Sequence, residues 1–143
     1  MTDHPMADAV PAGYERHFKQ SGFTDPWEPL YSRATTTQVS IGTIAHEGHC
    51  NSRGLIHGAF LAAIADNAMG LSVGVARAEK GLPEASLVTT NLSIDYVGRA
   101  SVGAWVYTDC EVIKAGRTLN VVTGVVRTAD GPVARVNATF QAL

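Results

Sequence analysis

The segment His49-Cys50-Asn51-Ser52-Arg53-Gly54-Leu55-Ile56-His57-Gly58 runs straight into an apolar stretch that carries one acid, Asp66. Asn, His and Gly ahead of a helix can orient water and offer an N–H to a carbonyl oxygen. A carboxylate among apolar neighbours is costly unless it is paired, hydrogen-bonded or used. The combination marks a candidate active site that polarises a carbonyl and activates water.

Each of these residues also has a plainer reading. Asp66 could cap a strand or pair with a buried arginine, His57 could brace the start of the helix, and Asn51 could be a turn residue. Cys50 invites a thiol–imidazole dyad with His49 or His57, but adjacent residues on an extended segment point apart. His46, His49, Cys50 and His57 have no ordinary structural zinc spacing, so no metal is expected.

The elements that must position these residues follow from periodicity. Residues 14–22 read as a short helix ended by Gly22, and Asp25-Pro26-Trp27-Glu28-Pro29 forces an extended path. Residues 35–45, with Val39 and Ile41 in alternation, read as the first long strand. Residues 55–80 read as one long helix, with Arg77, Glu79 and Lys80 at its wet end and Gly81 and Pro83 stopping it. Gly58, Gly70 and Gly74 weaken that helix by about 1 kcal/mol each against Ala, so a close approach of strand or ligand is their expected use.

Beyond the helix the pattern is strand to the end. Val88, Thr90, Leu92, Ile94 and Tyr96 alternate with Thr89, Asn91, Ser93 and Asp95, and residues 105–114, 117–128 and 134–141 continue it through tight turns. The expected architecture is α+β, an antiparallel sheet curled around one long helix. Residues 1–34 read as an N-terminal extension, with 1–13 frayed, and residues 35–143 as the domain.

A length of 143 residues fits one domain, and 45% hydrophobic residues can build its core. The net charge of −2, with three basic and five acidic side chains in the first 35 residues, gives nucleic acid no basic surface. Two cysteines, Cys50 and Cys110, no secretory pattern and no apolar run long enough to span a bilayer give the expectation of a cytoplasmic protein without a membrane segment.

Helical arithmetic constrains the candidate site. Gly58 and Asp66 lie about 12 Å apart along one helix, and His57 and Asp66 about 13 Å apart on opposite faces. One carbonyl cannot touch both Gly58 and Asp66 of one chain. Either one of them is not catalytic, or the site is assembled between two copies of the chain.

The order His49-Cys50-Asn51, Gly54, His57-Gly58-Ala59, then Ile64-Ala65-Asp66-Asn67, set in this layout, resembles the hotdog-fold acyl-CoA thioesterases of the phenylacetate-pathway type, in the 4-hydroxybenzoyl-CoA thioesterase superfamily. Ala59 stands where that pattern has a second glycine. The resemblance implies a hotdog fold and hydrolysis of an aromatic or medium-chain acyl-CoA without a cofactor. It implies Asp66 as base or nucleophile, the Gly58 N–H as oxyanion donor, Asn51 and His57 holding the site, and Thr89 orienting water. It further implies a homodimer with a shared site, paired into a tetramer. Arg99, Lys114, Gly116 and Arg117 read either as solvated turns or, by the resemblance, as contacts for the coenzyme A phosphates. A non-catalytic acyl-CoA-binding hotdog protein and a hotdog enoyl-CoA hydratase or dehydratase are the alternatives.

Overall fold

A computed structural model describes residues 9–143; the first eight residues of the stretch expected to be frayed lie outside the described residues. Seven antiparallel strands form one sheet: β1 (Glu15–Arg16), β2 (Tyr31–Ala34), β3 (Val39–Ile44), β4 (Leu87–Tyr96), β5 (Trp105–Lys114), β6 (Leu119–Thr128) and β7 (Gly131–Ala142). Their order across the sheet is β1-β2-β3-β5-β6-β7-β4, so the ten-residue β4 is an edge strand. Helix α1 (Gly58–Glu79) packs across one face.

Helix α1 buries Phe60, Leu61, Ile64, Ala65, Ala68, Met69, Ser72, Val73 and Arg77, a stripe that repeats every turn. These meet Val39, Ile41, Val106, Val122, Val136 and Phe140 from the sheet in one core. The helix is therefore buried on one side, not all round. Its other side carries small residues, Ala59, Ala62, Ala63, Gly70 and Gly74, with Asp66 and Asn67 among them. By length and composition α1 would suffice to cross a membrane; here its apolar stripe faces the sheet.

The helix starts three residues later than its apolar pattern suggested, because His57 caps it, Nδ1 accepting the Ala59 N–H at 3.0 Å. It ends as expected at Gly81, φ +69°, with Gly81 N–H bonded to Ala78 O and Leu82 N–H to Arg77 O, a Schellman closure.

The N-terminal region differs from its sequence reading. Residues 14–22 form no helix: Glu15–Arg16 pairs with Tyr31 and Ser32, and the His17 N–H bonds Leu30 O at 2.9 Å. Local helix propensity yields to pairing with a strand about fifteen residues away. The strand expected over 35–45 is only β3, because Thr35–Gln38 form a turn, and a strand the sequence reading did not foresee, β2, precedes that turn and pairs with β3. Residues 15–16 and 31–34 thus extend the same sheet.

Candidate active site

The approach to α1 is a small folded loop. Asn51 Oδ1 accepts the backbone N–H groups of Arg53 at 2.9 Å and Leu55 at 3.2 Å, an Asx-type turn, and Gly54 sits at φ +72°. The chain doubles back so that the Asn51 N–H bonds Leu55 O and the His57 N–H bonds His49 O. Asn51 and His57 therefore both spend a side-chain acceptor on shaping the path into Gly58. The Gly58 N–H itself has no hydrogen-bond acceptor among the described residues, as the first N–H of a helix commonly does not.

His49 anchors this loop from behind. It is buried and stacked on Phe60, with centroids 4.2 Å apart. Its Nδ1 accepts the His46 N–H at 3.1 Å, and its Nε2 donates to Trp27 O at 2.8 Å. Burial, more than any neighbour, lowers its pKa to about 4, so the ring is neutral at physiological pH. Trp27 in turn packs edge-on against Phe60 and Phe23. The histidines considered for zinc are thus bonded to backbone: His46 Nε2 meets Glu28 O and His46 Nδ1 accepts the Gly48 N–H. Burial raises the Cys50 thiol, and raises Cys110 to about 11, the wrong direction for a nucleophilic thiolate.

Asp66 lies on the small-residue side of α1, half-buried, and among the described residues no arginine pairs with it. Its partner is Thr89 of β4, whose Oγ1 donates to Asp66 Oδ1 at 2.7 Å. Strict alternation along β4 would have turned Thr89 away from the face that carries Leu92, Ile94 and Tyr96. A bulge intervenes: Thr89 pairs with Phe140 but Asn91 pairs with Thr139. Thr90 is the extra residue, its hydroxyl bonded to Thr139 on the outer face of the sheet. The expected single phase of Val88, Thr90, Leu92, Ile94 and Tyr96 is broken there, and Thr89 is re-aimed at the helix.

Asp66 and Thr89 stand together on the wall of a cleft of about 900 Å³ between α1, the loop after it and Phe18–Lys19. Its floor and walls include Gly70, Leu71, Gly74, Val75, Leu87 and Phe140. A Cβ on Gly70 would touch Phe140 at 3.3 Å, and one on Gly74 would meet nothing within 4 Å. A smaller cleft of about 380 Å³ continues from Asp66 toward Ala62, Ala59 and Phe23.

The basic residues separate. Arg99 belongs to the segment whose Ala100 O accepts the Ile56 N–H, near the start of α1. Lys114, Gly116 and Arg117 are tied to the other end by Arg77, whose guanidinium donates to Gly116 O and, at 3.0 Å, to Pro83 O. The two ends of α1 are about 30 Å apart, so these four residues form two groups within one chain. Arg77 is not at a wet end as its position suggested: it is buried, because three backbone carbonyls and Asn120 converge on it.

A long helix laid on a seven-stranded antiparallel sheet is the architecture of the hotdog class. The thioesterase superfamily profile matches residues 53–135, more than half of the chain, and the protein belongs to that family. The chain is 28% identical over 132 residues to the Pseudomonas aeruginosa protein named "Putative esterase PA0474", covering 92% of this chain and 96% of that one. In fold it is similar to zebrafish thioesterase superfamily member 2, with a TM-score of 0.76, 22% identity, and 87% and 89% of the two chains covered. It is also similar to a Streptococcus mutans protein whose structure was solved bound to acetyl-CoA, with a TM-score of 0.73, 21% identity, and 89% and 94% covered. The likeness to both structures carries the hotdog fold.

Proposed function

We propose that the protein hydrolyses acyl-CoA thioesters to the free acid and coenzyme A in a site shared between two copies of the chain. The observation that carries this reading is the Thr89–Asp66 hydrogen bond at 2.7 Å on the wall of a cleft that mixes polar and apolar residues. With Oδ1 held by Thr89, Asp66 keeps Oδ2 for the proton of an attacking water, and the Thr89 oxygen has lone pairs left to accept the water's second hydrogen. Water oxygen bonds to the thioester carbon, its proton passes to Asp66, and the carbon–sulfur bond breaks. The coenzyme A thiolate then takes that proton.

The oxyanion needs a donor, and the free Gly58 N–H is about 12 Å from Asp66 of its own chain. Among the described residues, strand β4 is a sheet edge whose outer side is unpaired, and the small residues of α1 beside it are only partly covered. Two copies joined at β4 around a two-fold axis set their helices antiparallel, Gly58 of each toward Asp66 of the other. Asn51 and His57 shape the loop that presents Gly58. The acyl group, aromatic or medium-chain, lies along Gly70 and Gly74. Lys114, Gly116 and Arg117, with Arg99 as the second group, face the coenzyme A phosphates. Acetyl-CoA bound to the Streptococcus mutans relative supports an acyl-CoA ligand.

A panel of acyl-CoAs, followed by thiol release, tests the reading. The unsubstituted protein is expected to turn over several members and Asp66→Asn to lose about a hundredfold or more. No release from any thioester overturns the enzyme and leaves a binding protein. Hybrids of Gly58→Val with Asp66→Asn subunits should regain activity, since one of their two sites is intact.

A further inference from the structure

Tyr96 closes β4 beside the start of α1. Its hydroxyl donates to the Gly58 carbonyl oxygen at 2.7 Å. Its ring lies over the same residue: a Cβ on Gly58 would stand 2.9 Å from Cζ and 3.0 Å from both Cε1 and Oη of Tyr96. From the opposite direction His57 Nδ1 accepts the Ala59 N–H at 3.0 Å. Oxygen and N–H of one peptide group, that between Gly58 and Ala59, are therefore each held by a side chain. The holders come from different elements, one from the edge strand and one from the capping loop.

The N–H that this clamp leaves free is that of Gly58, one Cα away from the clamped peptide. Glycine has the widest choice of backbone angles and no side chain to restrict them. An oxyanion donor acts by being aimed before the charge develops, so a wandering glycine N–H would forfeit most of its effect. The bare Cα of Gly58 serves two needs at once, room for a thioester carbonyl and room for the Tyr96 ring. We propose that Tyr96 is a positioning residue, which fixes the Gly58 N–H through its hydroxyl and so sets the strength of the oxyanion hole. This rests on the thioesterase reading, and it adds a residue that no part of the motif contains. The same edge strand then serves both halves of the reaction: Thr89 near one end holds the carboxylate of its own chain, and Tyr96 at the other holds the donor for the partner's site.

Tyr96→Phe keeps the ring over Gly58 and removes only the hydroxyl. Steady-state kinetics on the best acyl-CoA of the panel should give a kcat lower by about tenfold with KM within about twofold, a loss confined to the transition state. Amide hydrogen exchange followed by NMR should show the Ala59 amide, which is bonded to His57 Nδ1, exchanging faster in Tyr96→Phe than in the unsubstituted protein. Unchanged exchange, or an unchanged kcat in a variant of a protein that does turn over thioesters, overturns the proposal. So does a rise in KM with kcat intact. The exchange measurement stands apart from hydrolysis, so an inactive protein would refute the thioesterase reading while the clamp is still decided. Should Tyr96→Phe not fold, 3-fluorotyrosine at position 96 decides it. Its hydroxyl ionises at lower pH and stops donating, so kcat should fall with rising pH where the unsubstituted protein holds level; parallel profiles overturn the proposal.

Discussion

The Thr89 hydroxyl donates to Asp66 Oδ1 at 2.7 Å, joining the edge strand to the open face of the helix. The bond exists because Thr90 is bulged out of register, which turns Thr89 toward α1. Thr89→Val removes the donor while keeping shape and β propensity. Its kcat is expected to fall by roughly ten- to a hundredfold, and Thr89→Ser to restore most of it. Equal kcat in Thr89→Val and the unsubstituted protein would show that Thr89 does not hold a reacting carboxylate. Deleting Thr90 is the companion control: it leaves Thr89 two positions from Leu92, so plain alternation keeps the hydroxyl on the helix side and kcat should fall far less than in Thr89→Val.

Gly74 offers a test of where the acyl group lies. It weakens the helix by about 1 kcal/mol relative to Ala, and a Cβ there meets nothing within 4 Å, so packing inside the chain does not require it. Gly74→Ala is expected to raise the melting temperature. Gly74→Phe fills the cleft beyond Asp66 and should shift the kcat/KM ranking of the acyl-CoA panel toward short acyl groups by about tenfold or more. An unaltered ranking would move the acyl group to the smaller cleft, toward Ala62 and Phe23.

What the sequence revealed of this site divides by sequence distance. The capping role weighed for His57, the turn role weighed for Asn51 and the stop at Gly81 depend on neighbours within a few residues, and the residue types carry them. The Arg77 contacts, 39 positions away at Gly116, do not; a charge near a helix end reads as solvated until the hairpin that needs it is in place. The pairing of Glu15–Arg16 with β2 was hidden behind a locally helical pattern in the same way. Thr89 is the instructive case. Resemblance selected it, alternation aimed it the wrong way, and a one-residue bulge decided the matter. Tyr96 left only a faint trace, a large aromatic ending a strand with glycine as its next neighbour but one. Its contact with Gly58, 38 positions earlier, is purely tertiary.

Stability should depend on pH through His49. Its folded pKa is lowered from 6.5 to about 4, burial being the largest cause. Protonation would also put a second N–H against the His46 N–H. Between pH 6.5 and 4 the unfolded chain binds a proton that the folded chain refuses, so stability falls as pH drops through this window and is level above it. His17, pushed down chiefly by burial, adds to the same trend. Melting temperatures measured from pH 7.5 to 4.5 should decline most steeply below 6.5, and His49→Gln, whose amide cannot titrate, should flatten the curve while lowering it. An unchanged pH dependence in His49→Gln would assign the decline to other groups.

The hairpin at Lys114–Arg117 separates affinity for the carrier from chemistry on the thioester. Its backbone is rigidly held: Arg77 donates to Gly116 O, Lys80 Nζ to Ala115 O at 3.3 Å, and Asn120 Oδ1 accepts the Gly116 N–H at 3.0 Å. Lys114 and Arg117 themselves are exposed, and no carboxylate pairs with them among the described residues. Fixed backbone and free cations are what a phosphate-binding turn requires, because the donor positions are set in advance while the charges stay available. Replacing both by alanine is expected to raise KM for acyl-CoA by about tenfold, to leave kcat near its original value and to weaken the dependence of KM on salt. The matching acyl thioester of N-acetylcysteamine has no phosphates, so its KM should not move. If the two substrates respond alike, the hairpin is a solvated turn and the phosphates lie elsewhere, with Arg99 the next residue to replace.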